Sequence, residues 1–419
     1  MKKILCFIVL CITTHFANAK TVHVGSDMPY KTINSALDAA ADGDTVYVHE
    51  GTYREGNILI RKAIAFIGVN YPVLDGEKKY EIISVKANHT LVKGFKLVGS
   101  GSSSLEDLSG IKVYNSYYVT IEDNILEDTF FAIYLDYCKH SIVRNNKVKG
   151  YGDRESQMGN GIHCWKSDTL QIVGNTIDGH RDGIYFEFVG ASVIANNTSV
   201  NNIRYGLHFM FSNDDVYLNN YFKNNGAGVA VMYSKKVSMY NNTFIQNWGD
   251  AAYGLMLKEI YDGHINGNKF INNTIGVFME GASRMTFEKN IVESNGWGIK
   301  IMASCMDNTI SYNNFMANTF DVSTNGTLVL NKFEKNYWDK YEGYDLNRDG
   351  IGDVRFHPLS LFSVIVERIP PAMILFRSFM VTLLDRSEKL IPSLTPDNFV
   401  DEMPLMKPVP LKPLQSKAL

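Results

Sequence analysis

Five segments decide the fold: Gly206–Met210 (GLHFM), Gly228–Met232 (GVAVM), Gly254–Lys258 (GLMLK), Gly276–Glu280 (GVFME) and Gly298–Met302 (GIKIM). Each sets a glycine before an apolar/any/apolar alternation, and each follows the last by about two dozen residues. An alternating segment returning at near-constant period is one coil of a solenoid, because a single coil cannot bury its apolar face until the next stacks on it.

The register extends to Gly110, Ala132, Gly161 and Gly183, mostly in steps of 22 or 23 residues. The longer steps after Ala132 and Gly228 hold Gly/Asp/Asn-rich inserts (KGYGDRESQMGN, NWGDAA), which read as loops added to single coils. Fourteen residues after the leading position stands an asparagine in nearly every coil, from Asn124, Asn146 and Asn175 to Asn268 and Asn290, with Asn314 two residues late. Asparagine tolerates left-handed backbone angles, and stacked amides bond to one another, so an internal asparagine ladder at a turn is expected. β-branched alternation without helical spacing gives three short parallel strands per coil: an all-β, right-handed parallel β-helix.

Working outward toward the N-terminus, residues 20–105 form the solenoid's entry. Ile33, Ala36, Leu37 and Ala40 have helical spacing, so a short helix is expected to cover the open end, with a strand over Thr45–Val48. This stretch resembles the pectin-lyase-like β-helix superfamily, which contains polysaccharide lyases, hydrolases and epimerases. Ahead of it, Met1–Ala19 has Lys2 and Lys3, the apolar run ILCFIVLCI and a small-residue ANA end, the pattern of a secretory signal peptide cleaved after Ala19. Losing it takes the formal charge from −3 to −5, and no broad cationic surface argues for nucleic acid. Of five cysteines, Cys138, Cys164 and Cys305 remain on separate coils, which argues against a disulfide framework.

At positions +1 and +3 from each leading residue every coil is apolar, which fills the interior; +2 and +4 then face outward. The outward pairs include Tyr134/Asp136, His163/Trp165, Tyr185/Glu187, His208/Met210, Ala230/Met232 and Met256/Lys258. With coils ~4.8 Å apart, Met210 and Met232 sit side by side, with His208 and Met256 one column over. Thioether and imidazole donors select soft Cu(I) over hard cations, so these four are candidate metal ligands. His163, Trp165, Tyr185 and Glu187, with His180 overhanging from DGHRDG, make a second polar station or a saccharide groove. Outward Met, Tyr and Phe equally mark a face covered by a loop, by the C-terminal segment or by a partner. For a polysaccharide enzyme, only Asp136 and Glu187 among the available carboxylates fall in the outward columns, ~10 Å apart. Asp214 and Asp215 read as turn residues.

The solenoid closes at NYWDKYEGYDLNRDGIGDVRFHP, through Pro358. Asp345, Asn347, Asp349 and Asp353 around Gly350 read either as the start of a calcium loop, though position 356 is Phe where a bidentate Glu is expected, or as a tight Asp/Gly turn. Residues 359–391 are apolar and broken by Pro370-Pro371 into two helices too short to span a bilayer; they cap the last coil or dock to a membrane partner. Residues 392–419, with six prolines, read as an extended, flexible tail.

The stretches DGHRDGIYFEFV, RYGLHFMFSND and NYWDKYEGYDLNRDGIGD, with the leader and apolar tail, resemble the NosD family of periplasmic β-helix proteins along essentially the whole exported chain. The resemblance implies a non-enzymatic role in maturing the copper centres of nitrous oxide reductase. It implies as partners an ABC transporter's ATPase and permease, a copper chaperone lipoprotein and the reductase itself. A secreted carbohydrate-binding protein, lyase or epimerase is the alternative.

Overall fold

The computed structural model describes residues 19–103, 105–249, 252–326, 330–390 and 399–410; residues 1–18, which hold most of the expected leader, lie outside these. The chain is a right-handed parallel β-solenoid of about 14 turns, with coils of about 23 residues. Coil by coil it adds strands to three parallel sheets of 12, 13 and 14 strands, and the glycine-led segments form the sheet of 12. Inward positions are dry: Leu207, Phe209, Val229, Val231, Leu255 and Leu257 have no exposed surface. Behind them Phe222, Phe244 and Phe270 stack coil on coil at 5.4 and 4.7 Å.

The leading glycines are required by close approach. A Cβ on Gly206 would lie 2.6 Å from the Gly228 carbonyl oxygen and 2.9 Å from Asn225 Nδ2, where no side chain fits. The turn asparagines form the expected ladder: both the backbone N–H and the side-chain amide of Asn220 donate to Asn242 Oδ1, at 2.9 and 3.0 Å, and neighbours repeat the pattern. One expectation is corrected. The rung after Asn290 is Asn313, not Asn314, because Asn290 donates to Asn313 and Asn313 to Asn336. A second ladder, from Asn202 through Asn225, Asn247, Asn273 and Asn295 to Asn318, runs along another corner.

At the N-terminal end, helix α1 (Ile33–Ala39) is capped by Thr32 and buries Ile33, Ala36 and Leu37 over the first strands. At the other end, α2 (Leu361–Arg368), a tight 3-10 stretch Pro370–Leu375 and α3 (Phe379–Leu390) follow the solenoid. α2 packs Phe362 and Val366 against Phe320, and its Glu367 binds Lys300 Nζ at 2.7 Å and the Ser323 hydroxyl at 3.1 Å. The far side of this extension is open: Ile374, Phe379 and Met380 are 89%, 82% and 56% exposed. Among the described residues no helix is long and apolar enough to cross a membrane.

Residues 399–410 are not the free tail that their prolines suggest. Asp401 is fully buried, and its carboxylate accepts from the Lys335, Asn336 and Met403 backbone N–H groups, the Asn336 side-chain amide and Trp338 Nε1, all at 3.0–3.1 Å. It occupies the rung after Asn336 and ends the first ladder on a carboxylate. Asn314, freed from the ladder, clamps Val409 through both backbone groups at 2.8 and 3.0 Å. In the Asp345–Asp353 turn, the oxygens of Asp345, Asn347, Asp349 and Asp353 accept from the backbone N–H groups of Leu346, Asp349, Gly350 and Ile351.

Candidate metal-handling face

Pairing in the glycine-led sheet fixes the outward columns. Tyr185 pairs with His208 and Glu187 with Met210; His208 pairs with Ala230 and Met210 with Met232; Ala230 pairs with Met256 and Met232 with Lys258. Met210 and Met232 are therefore adjacent, as the period requires. His208 and Met256 share a column with Ala230 between them. Ala230 has no exposed surface, so side chains of the neighbouring coils close over it, and His208 and Met256 are themselves only 6% and 8% exposed.

A third outward column was not anticipated. The backbone departs from strict alternation at each leading glycine, so the residue before it faces the same way as position +2. Phe131, Asn160, Asp182, Tyr205, Tyr253 and Trp297 occupy it, and each meets its coil's own +2 residue or that of a neighbouring coil. Asn160 lies 3.0 Å from His163 Nδ1, Tyr205 packs at a tilt against His208 at 4.8 Å, Tyr253 lies 5.0 Å from Phe278, and Lys300 sits 4.6 Å over Trp297. The sequence signal is the recurring bulky or polar residue ahead of each glycine: NGIH, DGIY, YGLH, YGLM, WGIK.

These columns build a continuous row of ring contacts, Tyr134–His163–Tyr185–His208, with centroid spacings of 4.3, 4.8 and 4.8 Å, the first two pairs tilted and the last edge-on. Within it the two histidines differ. His163 is held by Asn160, whose Oδ1 in turn accepts from Arg181 Nε at 3.3 Å. Burial, then the nearby Arg181 charge, drop its imidazole to about 3, so it is a neutral packed ring. His208 is as buried, yet neither ring nitrogen has a hydrogen-bond partner among the described residues. Its Nδ1 is 3.7 Å from Asp182 Oδ2, and Asp182 is fully buried and held by Arg204 Nε at 2.9 Å. Burial pushes the Asp182 carboxyl up, but His208 and the Arg204 guanidinium outweigh it and hold the group below the ordinary range, as an anion. A carboxylate behind one nitrogen of a histidine fixes the tautomer and leaves the other nitrogen's lone pair for a metal. On the far side the Met210 sulfur takes the Tyr185 hydroxyl at 3.8 Å. An orphaned imidazole with thioethers on its own and neighbouring coils suits a soft ion.

The other candidate residues are disposed differently. His180 does not overhang the face; it is fully buried in the second ladder's corner, its backbone N–H donating to Asn202 Oδ1 at 3.0 Å while neither ring nitrogen has a hydrogen-bond partner among the described residues, and burial lowers its imidazole to about 4. Trp165 lies under Lys166 Nζ at 4.4 Å, and Glu187 accepts the Tyr185 hydroxyl at 3.2 Å. Trp165 separates Asp136 from Glu187 in the register, so those carboxylates do not converge. Asp215 is no simple turn residue: it is fully buried, takes the Ser192 N–H at 2.9 Å, and burial raises its carboxyl to about 8. Cys138, Cys164 and Cys305 are buried free thiols. Among the described residues no three His, Cys, Asp or Glu side chains gather as a metal site, so any site on this face depends on methionine.

Comparison with known proteins fits this geometry. The family described as "Periplasmic copper-binding protein (NosD)" matches residues 151–343, which include His163, Tyr185 and all four candidate ligands, and a "Right handed beta helix region" matches residues 79–177. A "Probable ABC transporter binding protein NosD" of Stutzerimonas stutzeri is 26% identical over 80% of this chain and 80% of its own length; its Pseudomonas aeruginosa counterpart is 26% identical over 88% and 90%. The Yersinia enterocolitica family 28 exopolygalacturonase shares the fold alone, with a TM-score of 0.56 and 12% identity over 76% of this chain and 78% of that one. Matched by that family model across its central coils and aligned with NosD relatives along most of its length, this chain is a parallel β-helix protein similar to the NosD family.

Proposed function

We propose that the chain is a periplasmic accessory factor that passes Cu(I) to a copper enzyme under maturation and is not itself an enzyme. The ion crosses the face at His208, Met210, Met232 and Met256, while the apolar tip formed by Ile374, Phe379, Met380 and Leu383 docks to the permease of an ABC transporter. The partners implied by the resemblance, a copper chaperone lipoprotein as donor and nitrous oxide reductase as acceptor, complete the route. The observation that carries this reading is His208: a buried imidazole whose Nδ1 faces an anionic Asp182 at 3.7 Å, whose Nε2 has no hydrogen-bond partner among the described residues, and which is flanked by thioethers. A buried polar group left unsatisfied costs about 1–3 kcal/mol, so its presence calls for a ligand.

The test is anaerobic titration of the purified protein with Cu(I) against a competing chelator, beside a His208→Ala/Met210→Leu variant. The proposal expects binding that the variant loses. It fails if Met210→Leu/Met232→Leu protein binds copper and supports reductase maturation as well as the parent does.

A further inference from the structure

We propose a second Cu(I) site, formed by His23, His49 and Met28 at the N-terminal end of the solenoid. His23 lies in the strand Thr21–Val24, which pairs with Thr45–Val48; His49 follows that second strand, held by its N–H to the Val24 carbonyl at 2.9 Å. The register sets His23 opposite Tyr47, whose ring stacks on it at 5.5 Å and 17°. Two residues beyond Tyr47, His49 turns its ring to the same side, and His23 Nδ1 comes within 2.9 Å of His49 Nε2. The ring centroids are 5.3 Å apart.

Met28 completes the group. The turn after the first strand folds back through Met28 N–H to the Gly25 carbonyl at 3.2 Å and Gly25 N–H to the Tyr30 carbonyl at 3.0 Å. The position a Gly25 Cβ would take is 3.2 Å from Met28 Cγ and 3.3 Å from His49 Cβ, so Met28 and His49 flank the same glycine and the flexible thioether arm is within reach of the histidine pair. Glycine keeps the space between them open. All three side chains are half-buried, so an ion reaches them from solvent.

Two imidazole nitrogens aimed at one another share a single proton between neutral rings. A metal takes that proton's place when the donating ring shifts its hydrogen to its other nitrogen, an internal exchange that needs no net proton loss. Metal–imidazole bonds of about 2 Å put opposed nitrogens about 4 Å apart, so the rings must part by about 1 Å, within the swing of two partly exposed side chains. Two imidazoles and one thioether, with no carboxylate in the set, suit a soft, low-coordinate cation and disfavour calcium or magnesium. The geometry is independent of the face at His208, and the site stands or falls separately from it.

The experiment uses Cu(I) itself as probe, added anaerobically to the full-length protein against a chelator. Three variants are compared with the parent: His23→Ala/His49→Ala, Met28→Leu and Met210→Leu/Met232→Leu, each checked for an unchanged melting profile. Met28→Leu keeps the histidine pair intact and guards against a folding artefact in the double variant. The expected result is loss of one Cu(I) equivalent in the histidine variant and at least tenfold weaker binding of that equivalent in Met28→Leu, with the same equivalent retained in Met210→Leu/Met232→Leu. X-ray absorption on that last protein should show two nitrogen scatterers and one sulfur. Unchanged stoichiometry and affinity in both N-terminal variants would overturn the proposal, as would a first shell without nitrogen. Loss of copper only in Met210→Leu/Met232→Leu would uphold the His208 face and refute this site.

Discussion

Replacing Asp401 with alanine tests how the solenoid is closed. The carboxylate accepts five hydrogen bonds at 3.0–3.1 Å, from three backbone N–H groups, one asparagine amide and one indole, with no exposed surface of its own. Each buried donor left without an acceptor costs about 1–3 kcal/mol, so five together rival the whole stability of an ordinary domain, about 5–15 kcal/mol. The chain has a less costly response. Residues 399–410 let go, water reaches the donors, and the loss is limited to the free energy of holding that segment in place. Because each coil touches only its neighbours, the damage stays at that end. We expect local opening to become easier by about 3 kcal/mol, equivalent to roughly a hundredfold faster exchange. Hydrogen exchange read by mass spectrometry or NMR should show it at the amides of Lys335, Asn336, Met403 and Val409, with Asn220 and Asn242 unchanged. Asp401→Asn, which keeps one carbonyl oxygen, should fall between. An Asp401→Ala protein whose four end amides exchange at the parent's rate would refute the assignment of this carboxylate as the terminal rung.

Three further outcomes follow from the geometry. Asp215 binds a proton in the native state up to about pH 8 while the unfolded chain releases it near pH 4; native protein therefore binds more protons in that window, and stability falls as pH rises through it. Asp215→Asn keeps an acceptor for Ser192 and should flatten that slope, gaining a few kcal/mol at pH 8 in denaturant melts; an unchanged slope would contradict the buried protonated acid. Gly206→Ala places a Cβ 2.6 Å from the next coil's carbonyl and should destabilise by about 2–4 kcal/mol; a neutral melt would show that the coils part without strain. Serine at Phe379, Met380 and Leu383 should leave the melting temperature within a degree or two, since these side chains are largely exposed, yet abolish co-purification with the transporter; retained co-purification would move the docking surface elsewhere.

Much of this structure was legible because a solenoid repeats its physics. The register from Gly110 to Gly298 placed the interior, the +2 and +4 columns and the Met210–Met232 neighbourhood correctly, since alternation within a strand and stacking between coils are both fixed by backbone geometry. The failures cluster where alternation stops. At the leading glycine the chain turns residues such as Asp182 and Tyr205 onto the face that carries His208, and strict counting by two assigned them no place there. At the corners, whether a polar residue is exposed depends on the neighbouring coil's ladder, so His180 and Asp215, plausible surface residues by type, are buried. The Asn313 rung was missed because Gly298 to Asn313 is one residue longer than the spacing elsewhere. Proline content likewise said nothing of Asp401, because the donors that bind it come from coils some 65 residues earlier.

From one asparagine to the next the first ladder is directional: from Asn124 onward each rung donates its backbone N–H to the Oδ1 of the rung that follows it in the chain, while its side-chain amide also donates to a backbone carbonyl of the coil before. The acceptor that completes the row is therefore made only after every coil that the ladder joins. Until residue 401 arrives, a growing chain presents Asn336 and Trp338 as unmet donors beside an unpaired strand edge, the kind of surface that recruits other strands or quality-control proteases. A product that ends before Asp401 keeps that edge open, so the molecule carries in its own hydrogen bonding a mark that distinguishes chains reaching this residue from those that stop short of it.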